Sequence, residues 1–274
     1  MRLFTALRER RPSLAAGLLA LRSQTARGQI RMSSSLPVAA VCQMTATPDK
    51  EANFSACTRL VEQAKEGGAS MVFLPEGFDY IGSNREETLA LSETLDGDII
   101  TRYTHLARKL DVWLSLGGFH ERGHDWKTDR HIYNSHIIIN GQGEIVSAYR
   151  KGHLFDVELT SKGVSLKESA FTVPGPRLLP PIQTPIGKVL LRARAIETQC
   201  FVLAAAQVGA HHAKRTSYGH ALAVDPWGVV IGDCGGSDVG LTLIQIDLQA
   251  LRDIRRDMPV QQHRREKDFY CSLD

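Results

Sequence analysis

Three charged residues of this chain stand where side chains could do chemistry. Glu76 closes the run SMVFLPE, directly after an apolar stretch and a proline that fixes its approach. Lys151 closes EIVSAYRK in the same way, while Arg150 beside it points to the opposite face by the two-residue period of a strand. Glu168 lies further on, in a stretch without a tight motif. A carboxylate and an ammonium on neighbouring strand ends make half of a site for acyl chemistry, the first to take a proton and the second to hold an oxyanion. Spacing alone leaves plainer readings open: a solvated loop carboxylate or helix cap at Glu76, and a surface lysine at Lys151.

Such a site needs a nucleophile, and the five cysteines do not supply one. Cys42 lies inside an apolar run, Cys57 on the inner face of a predicted helix, and Cys271 in a polar tail. Cys200 sits between helix and strand in IETQCFV, and Cys234 in a glycine-rich turn. None follows a strand end beside a helix start, where a thiolate would be stabilised. An odd, scattered set without a CxxC pair, in a chain too long to need staples, points to a reducing compartment and no disulfides. His211-His212 with His220 could be metal ligands, but adjacent histidines point apart and surface histidines are the commoner case. Gly232-Asp233-Cys234-Gly235-Gly236 lacks the spacing and following helix of a phosphate loop and reads as a turn.

The elements that must position these residues follow from periodicity. Val38 to Met44 reads as a buried strand. Asp49 to Glu66 puts Phe54, Cys57, Leu60, Val61 and Ala64 on one helical face and stops at Gly67-Gly68. Ser70 to Leu74 is a short apolar run, Ile99 to Leu110 a second amphipathic helix, and Val112 to Leu116 another strand. This β-α-β-α-β order implies parallel strands with helices outside, a sheet whose ligands collect beyond the carboxyl ends of its strands. Then the grammar changes. Ile132 to Ile139 and Glu144 to Tyr149 flank Asn140-Gly141-Gln142-Gly143, a hairpin signal. Residues 157–185 read as a long loop, Arg192 to Thr198 as a helix fragment and Phe201 to Ala206 as a strand. Ala221 to Val224 and Val229 to Ile231 flank a second turn, Asp225-Pro226-Trp227-Gly228; Leu241 to Ile246 is a last strand and Leu248 to Arg256 a last helix. The fold class is α/β, read as one mixed-sheet domain with outer helices.

Charge divides the chain sharply. Its 274 residues carry 33 basic and 30 acidic groups, a formal +3, but residues 1–31 hold seven Arg and only Glu9. The remainder is therefore mildly acidic, which argues against a nucleic-acid partner. No run of about 18 apolar residues is present, so no membrane span is expected. The arginine-spaced, acid-poor residues 1–31 have the composition of a mitochondrial transit peptide. A solvated helix or plain arm is the bland alternative. Met32 offers a second start, which would give a cytoplasmic form.

FLPE at 73–76, YRKGHLFD at 149–156, and RARAIETQCFVLAAAQ at 192–207 followed by SYGHALAVDPWG resemble the nitrilase superfamily of carbon-nitrogen hydrolases. The resemblance runs from about Val38 to Tyr270. LSLGGFHERG at 114–123 and HHAKRTSYGH bring it close to the nitrilase-homologue branch that acts on deaminated glutathione. It implies an αββα sandwich, homo-oligomers, and hydrolysis of a small linear amide to a carboxylic acid without metal or other cofactor. It also implies roles: Glu76 as general base, Lys151 as the oxyanion-stabilising lysine, Glu168 as a less tightly matched second glutamate, and a catalytic cysteine.

That cysteine has no counterpart. The family pattern continues from a TPxGK turn through a strand, a CYDxRFPE-like elbow, a helix and another strand before the LLRARAIE helix. Here Thr184-Pro185-Ile186-Gly187-Lys188 runs directly into Val189-Leu190-Leu191-Arg192. The absent piece amounts to a βαβ unit, on the order of 30 residues or more. An alternative transcript or a gene-model error would each make such a join. The resulting expectations are an internally truncated hydrolase domain over 32–274 that is inactive and unstable, or a non-catalytic subunit that docks on full-length protomers.

Overall fold

The apolar run that begins the folded region, Val38–Met44, forms β1, and every residue after Val38 in it is buried. In the computed structural model, residues 36–128, 130–159, 164–176, 184–185 and 199–258 are described, and from Leu36 on they belong to one compact unit. Helix α1 (Lys50–Glu66) starts at Asp49, whose side chain accepts from the Ala52 amide, and ends at Gly67. It buries Asn53, Cys57, Leu60, Val61 and Ala64. The chain returns as β2 (Ala69–Leu74), then forms α2 (Arg85–Leu91), α3 (Asp98–Leu110) and β3 (Trp113–Arg122). Strands β1, β2 and β3 are parallel, as the β-α-β-α-β order requires.

The antiparallel hairpin of β4 (Ile132–Ile139) and β5 (Ile145–Arg150) extends this sheet beside β3. At the other side lie β9 (Ala206–His212) and β10 (Arg215–Tyr218), giving the order β10-β9-β1-β2-β3-β4-β5, with β13 (Gly240–Gln245) antiparallel to β1. A second sheet has the order β12-β11-β8, from Val230–Asp233, Leu222–Val224 and Val202–Ala204. The final helix, α4 (Leu248–Asp257), is capped by the Asp247 carboxylate.

Strand alternation explains why β1 and β2 read as continuous apolar runs. Ala40, Cys42, Met44, Val72 and Leu74 face a core shared with α1 and α3. Ala39, Val41, Met71 and Phe73 face the opposite way, against Leu203, Ala221 and Ala223 of the second sheet. A strand covered on both sides has no polar face to show. The layering is that of an αββα sandwich.

Three details differ from expectation. Residues 157–185 are not one long loop: β6 (Asp156–Leu159) pairs with β7 (Val164–Lys167), and a 3-10 turn at Glu168–Ala170 follows. Helix α2 escaped notice because it is short, buries only Thr88 and is held by its Asn84 cap rather than by an apolar stripe. HHAKRTSYGH, weighed above for its histidines, is the β9–β10 hairpin. The leader at 1–31, the Lys188 to Val189 join, the helix fragment at Arg192 to Thr198 and Cys271 lie outside the described residues.

Candidate active site

Glu76 leaves the carboxyl end of β2 by way of Pro75, and the neighbouring strand makes room for it. The β3–β4 pairing shifts register between Leu116 and Phe119, at Gly117-Gly118. Gly118 has φ +56, and a Cβ there would lie 2.4 Å from Glu76 Cγ. Only glycine fits both the conformation and the approach. Gly118 O also accepts the Gly77 amide at 3.1 Å, and Gln207 Nε2 donates to the carbonyls of Glu76 and Gly77 at 3.1 and 3.2 Å. Further along, Asn53 on α1 donates to Asp79 O at 3.0 Å, while the Asp79 carboxylate accepts the His120 amide at 3.1 Å. The loop that carries Glu76 is thus fastened to α1, β3 and β9.

Lys151 follows β5, and its amide donates to Asn134 O at 2.8 Å. Its Nζ donates to Glu168 Oε2 at 2.9 Å and lies 3.6 Å from Glu76 Oε1. The hairpin β6–β7 returns the chain so that Glu168 reaches Lys151 from the far side. Asn134 Nδ2 spans the two acids, donating to Glu76 Oε1 at 2.6 Å and Glu168 Oε1 at 3.0 Å. The structure therefore brings all three predicted residues together. It adds Asn134 and Gly118, which spacing did not single out. The only trace of Asn134 in the sequence is an amide set among apolar residues in IYNSHIII.

The electrostatics favour charged forms. Burial raises the Glu168 carboxyl, but the Phe155 amide, the Lys151 ammonium and the Asn134 amide outweigh it and hold the group below its usual range. For Lys151, burial lowers the ammonium, yet hydrogen bonding to Glu168 and the charge of Glu76 leave it raised overall. The lysine stays an ammonium at neutral pH, as an oxyanion partner must. Arg150 does face the other way, bound to buried Glu121 through Nε at 2.9 Å and through Nη2. The three charges differ in exposure: the side chain of Glu168 is 15% exposed and that of Lys151 30%, but that of Glu76 64%. Glu76 is the most open of the three.

Cys42, Cys57 and Cys234 lie in surroundings that suppress a thiolate. Cys42 is fully buried in β1, and burial above all, then Cys57 and Cys234, pushes it well above its usual value. Burial pushes Cys57 up to about 12. Burial also raises Cys234, whose thiol reaches Val41 O at 3.8 Å. Cys200 packs with Val202 and Val224. An activated cysteine has the opposite environment, a cation or helix start beside an accessible sulfur. His211 is committed through both ring nitrogens, to Ala46 O and Ser217 Oγ, each at 2.7 Å. His220 pairs through Nδ1 with Asp233.

Layers and site together describe an α/β protein with an acid-base centre at the ends of β2 and β5. The chain belongs to the carbon-nitrogen hydrolase family, whose sequence profile matches in two stretches, residues 38–191 and 188–256. It is 46% identical to the deaminated glutathione amidase of Rattus norvegicus over 280 aligned positions, covering 87% of this chain and 85% of that protein. Because 87% of 274 residues is about 238, about 42 of those positions have no counterpart here. The crystal structure of the C. elegans NitFhit protein superposes with a TM-score of 0.79 at 39% identity, over 87% of this chain and 67% of that one. Saccharomyces cerevisiae Nit3, a member of branch 10 of the nitrilase superfamily, matches at TM-score 0.68 and 22% identity, covering 85% and 98%, a likeness of fold alone.

Proposed function

We propose that this chain descends from an amidase for deaminated glutathione and retains the acid-base half of its site. In that reading Glu76 takes the proton of an attacking thiol and passes it to the departing nitrogen. Lys151 stabilises the oxyanion of the tetrahedral intermediate, and Glu168 holds Lys151 charged and aimed. Loss of the protonated amine, cysteinylglycine, leaves an acyl-enzyme, which water activated by Glu76 cleaves to the carboxylic acid. The observation that carries it is the Lys151 ammonium held between Glu76 and Glu168, with Asn134 bridging the acids.

The thiol is the part this chain lacks. A nucleophile-bearing segment absent between Lys188 and Val189 is supported by the aligned positions without counterparts and by the family profile resuming at residue 188. The openness of Glu76 also fits a site missing one wall. The expected outcome is that the purified chain releases no cysteinylglycine from deaminated glutathione. Inserting the corresponding segment of the rat relative between Lys188 and Val189 restores release, and Glu76→Gln or Lys151→Ala then lowers it by about 100-fold or more. Release of cysteinylglycine by the unmodified chain, abolished by Cys200→Ala or Cys234→Ala, would overturn this assignment.

A second reading, a non-catalytic subunit that docks on full-length protomers, is favoured by the apolar residues bare on the second sheet, among them Val230 and Ile231. Its test is co-purification with a full-length relative. A homo-oligomer is the companion expectation for that full-length form. Residues 1–31 we assign as a mitochondrial leader, with Met32 starting a cytoplasmic form; terminal sequencing of protein from each compartment checks this.

A further inference from the structure

Among the described residues three arginines are half-buried: Arg102, Arg122 and Arg150. Arg102 holds Glu51 and Arg150 holds Glu121, but Arg122 has no carboxylate partner among the described residues. Its guanidinium rests over the Trp126 ring, 4.9 Å from the centroid. Among the described residues Nε and Nη2 reach only Ser92 Oγ and Ala90 O, at 3.3 and 3.4 Å, and Nη1 has no partner. Arginines withdrawn from water without an anion are uncommon, because the five donors then lose hydration uncompensated. This one lines a cavity of about 710 Å³ beyond the end of β3.

The cavity has a definite floor and a mixed rim. Glu121 and Arg150, paired with each other, close the floor, so neither charge is available to a ligand. Lys127 adds an exposed cation to the rim; Asp96 and Asp125 add two exposed carboxylates. The cavity is also separate from the acid-base centre. Glu121 and Arg150 point to the helix-side face of the sheet, with Ile137 and Phe119, whereas Asn134 and Lys151 alternate to the other.

We propose that this cavity is a second binding site, for a small zwitterion such as an amino acid or short peptide. The ligand carboxylate meets the Arg122 fork, a planar two-oxygen match, with Lys127 beside it. The rim aspartates repel a dianion and receive the ligand ammonium, and the Trp126 face supports the atoms between.

Titration calorimetry on the 274-residue chain at constant ionic strength, with glycylglycine, acetate and inorganic phosphate as probes, tests this. Glycylglycine binds saturably and most tightly, acetate more weakly, and phosphate most weakly. Arg122→Gln weakens glycylglycine about tenfold or more, the loss of a charge-assisted pair. Arg122→Lys, which keeps the charge and loses the fork, also weakens it. A readout that needs no variant is the Arg122 Nε–H resonance, which shifts on adding glycylglycine while that of Arg102 stays put. Phosphate binding as tightly as glycylglycine, no saturable binding of any probe, or an unmoved Arg122 resonance each overturns the proposal. Amide hydrolysis plays no part in the test, so its outcome is independent of the assignment made for Glu76 and Lys151.

Discussion

The two sheets of this protein are built from similar residues and have different fates. In β3, Leu114, Leu116 and Phe119 are buried and share a core with Phe78, Tyr103 and α3. In β12, Val230 and Ile231 are 43% and 39% exposed, and Trp227 and Val229 at the adjoining turn are more open still. Valine and isoleucine favour strands in both places, so propensity does not separate them. What separates them is cover. The first sheet has α1 and α3 on one face and the second sheet on the other. Among the described residues the second sheet has three short strands, and its apolar edge residues meet solvent. The two carboxylates beside Lys151 show the same contrast, since Glu168 is largely covered while Glu76 stands open.

The comparison is broken most forcefully in the well-covered half. Leu114→Ala or Leu116→Ala should cost about 2–5 kcal/mol, because both side chains are fully buried. Ile231→Ala on the thin sheet should cost less than about 1 kcal/mol. Urea unfolding of the three variants would measure the ratio, and equal losses would show that both sheets share one cooperative core. Gly118→Ala comes next. Its Cβ would collide with Glu76 in a left-handed conformation, with an expected loss of about 1–3 kcal/mol and a displaced carboxylate.

Asn134→Leu sharpens the electrostatic side. It removes a donor that helps hold Glu168 ionised, so the Glu168 pKa should rise, readable by carboxyl-carbon NMR titration. The sign follows from linkage. A carboxyl depressed in the folded state contributes stability above its unfolded pKa of about 4.3, and loses it as pH falls through the lower folded value. The variant should therefore retain less of the acid-sensitive stability and show a flatter stability curve below pH 5. The smallest effect belongs to Ile231→Lys. Stability should move by no more than about 0.5 kcal/mol, while aggregation measured by light scattering falls.

Much of the well-covered half was legible from residues alone. Strand β1 and helix α1 declare themselves by a run without polar interruption and by a stripe ending in paired glycines. The Asn140–Gly143 turn marks the β4–β5 hairpin. Glu76 and Lys151 could be singled out because each closes an apolar strand. Glu168 could not be placed with equal firmness, since β6 and β7 are four residues each and their pairing is a matter of chain return rather than local pattern. Asn134 and Gly118 were illegible for a different reason. Their importance lies in what a neighbouring strand puts beside them, a matter of register that no one-dimensional spacing encodes.

Gln43 carries a consequence for how the molecule comes together. Its buried side-chain amide donates to Gly235 O and Asp238 O, 192 and 195 residues further along the chain, and accepts the Ala221 amide. The strand it belongs to also pairs residue by residue with β13. The first of the described strands is therefore completed by the last of them. Contacts of such separation fold slowly, because loop closure precedes any reward. Throughout translation one edge of β1 must wait unpaired, a template open to other chains until the C-terminal strand emerges and closes it.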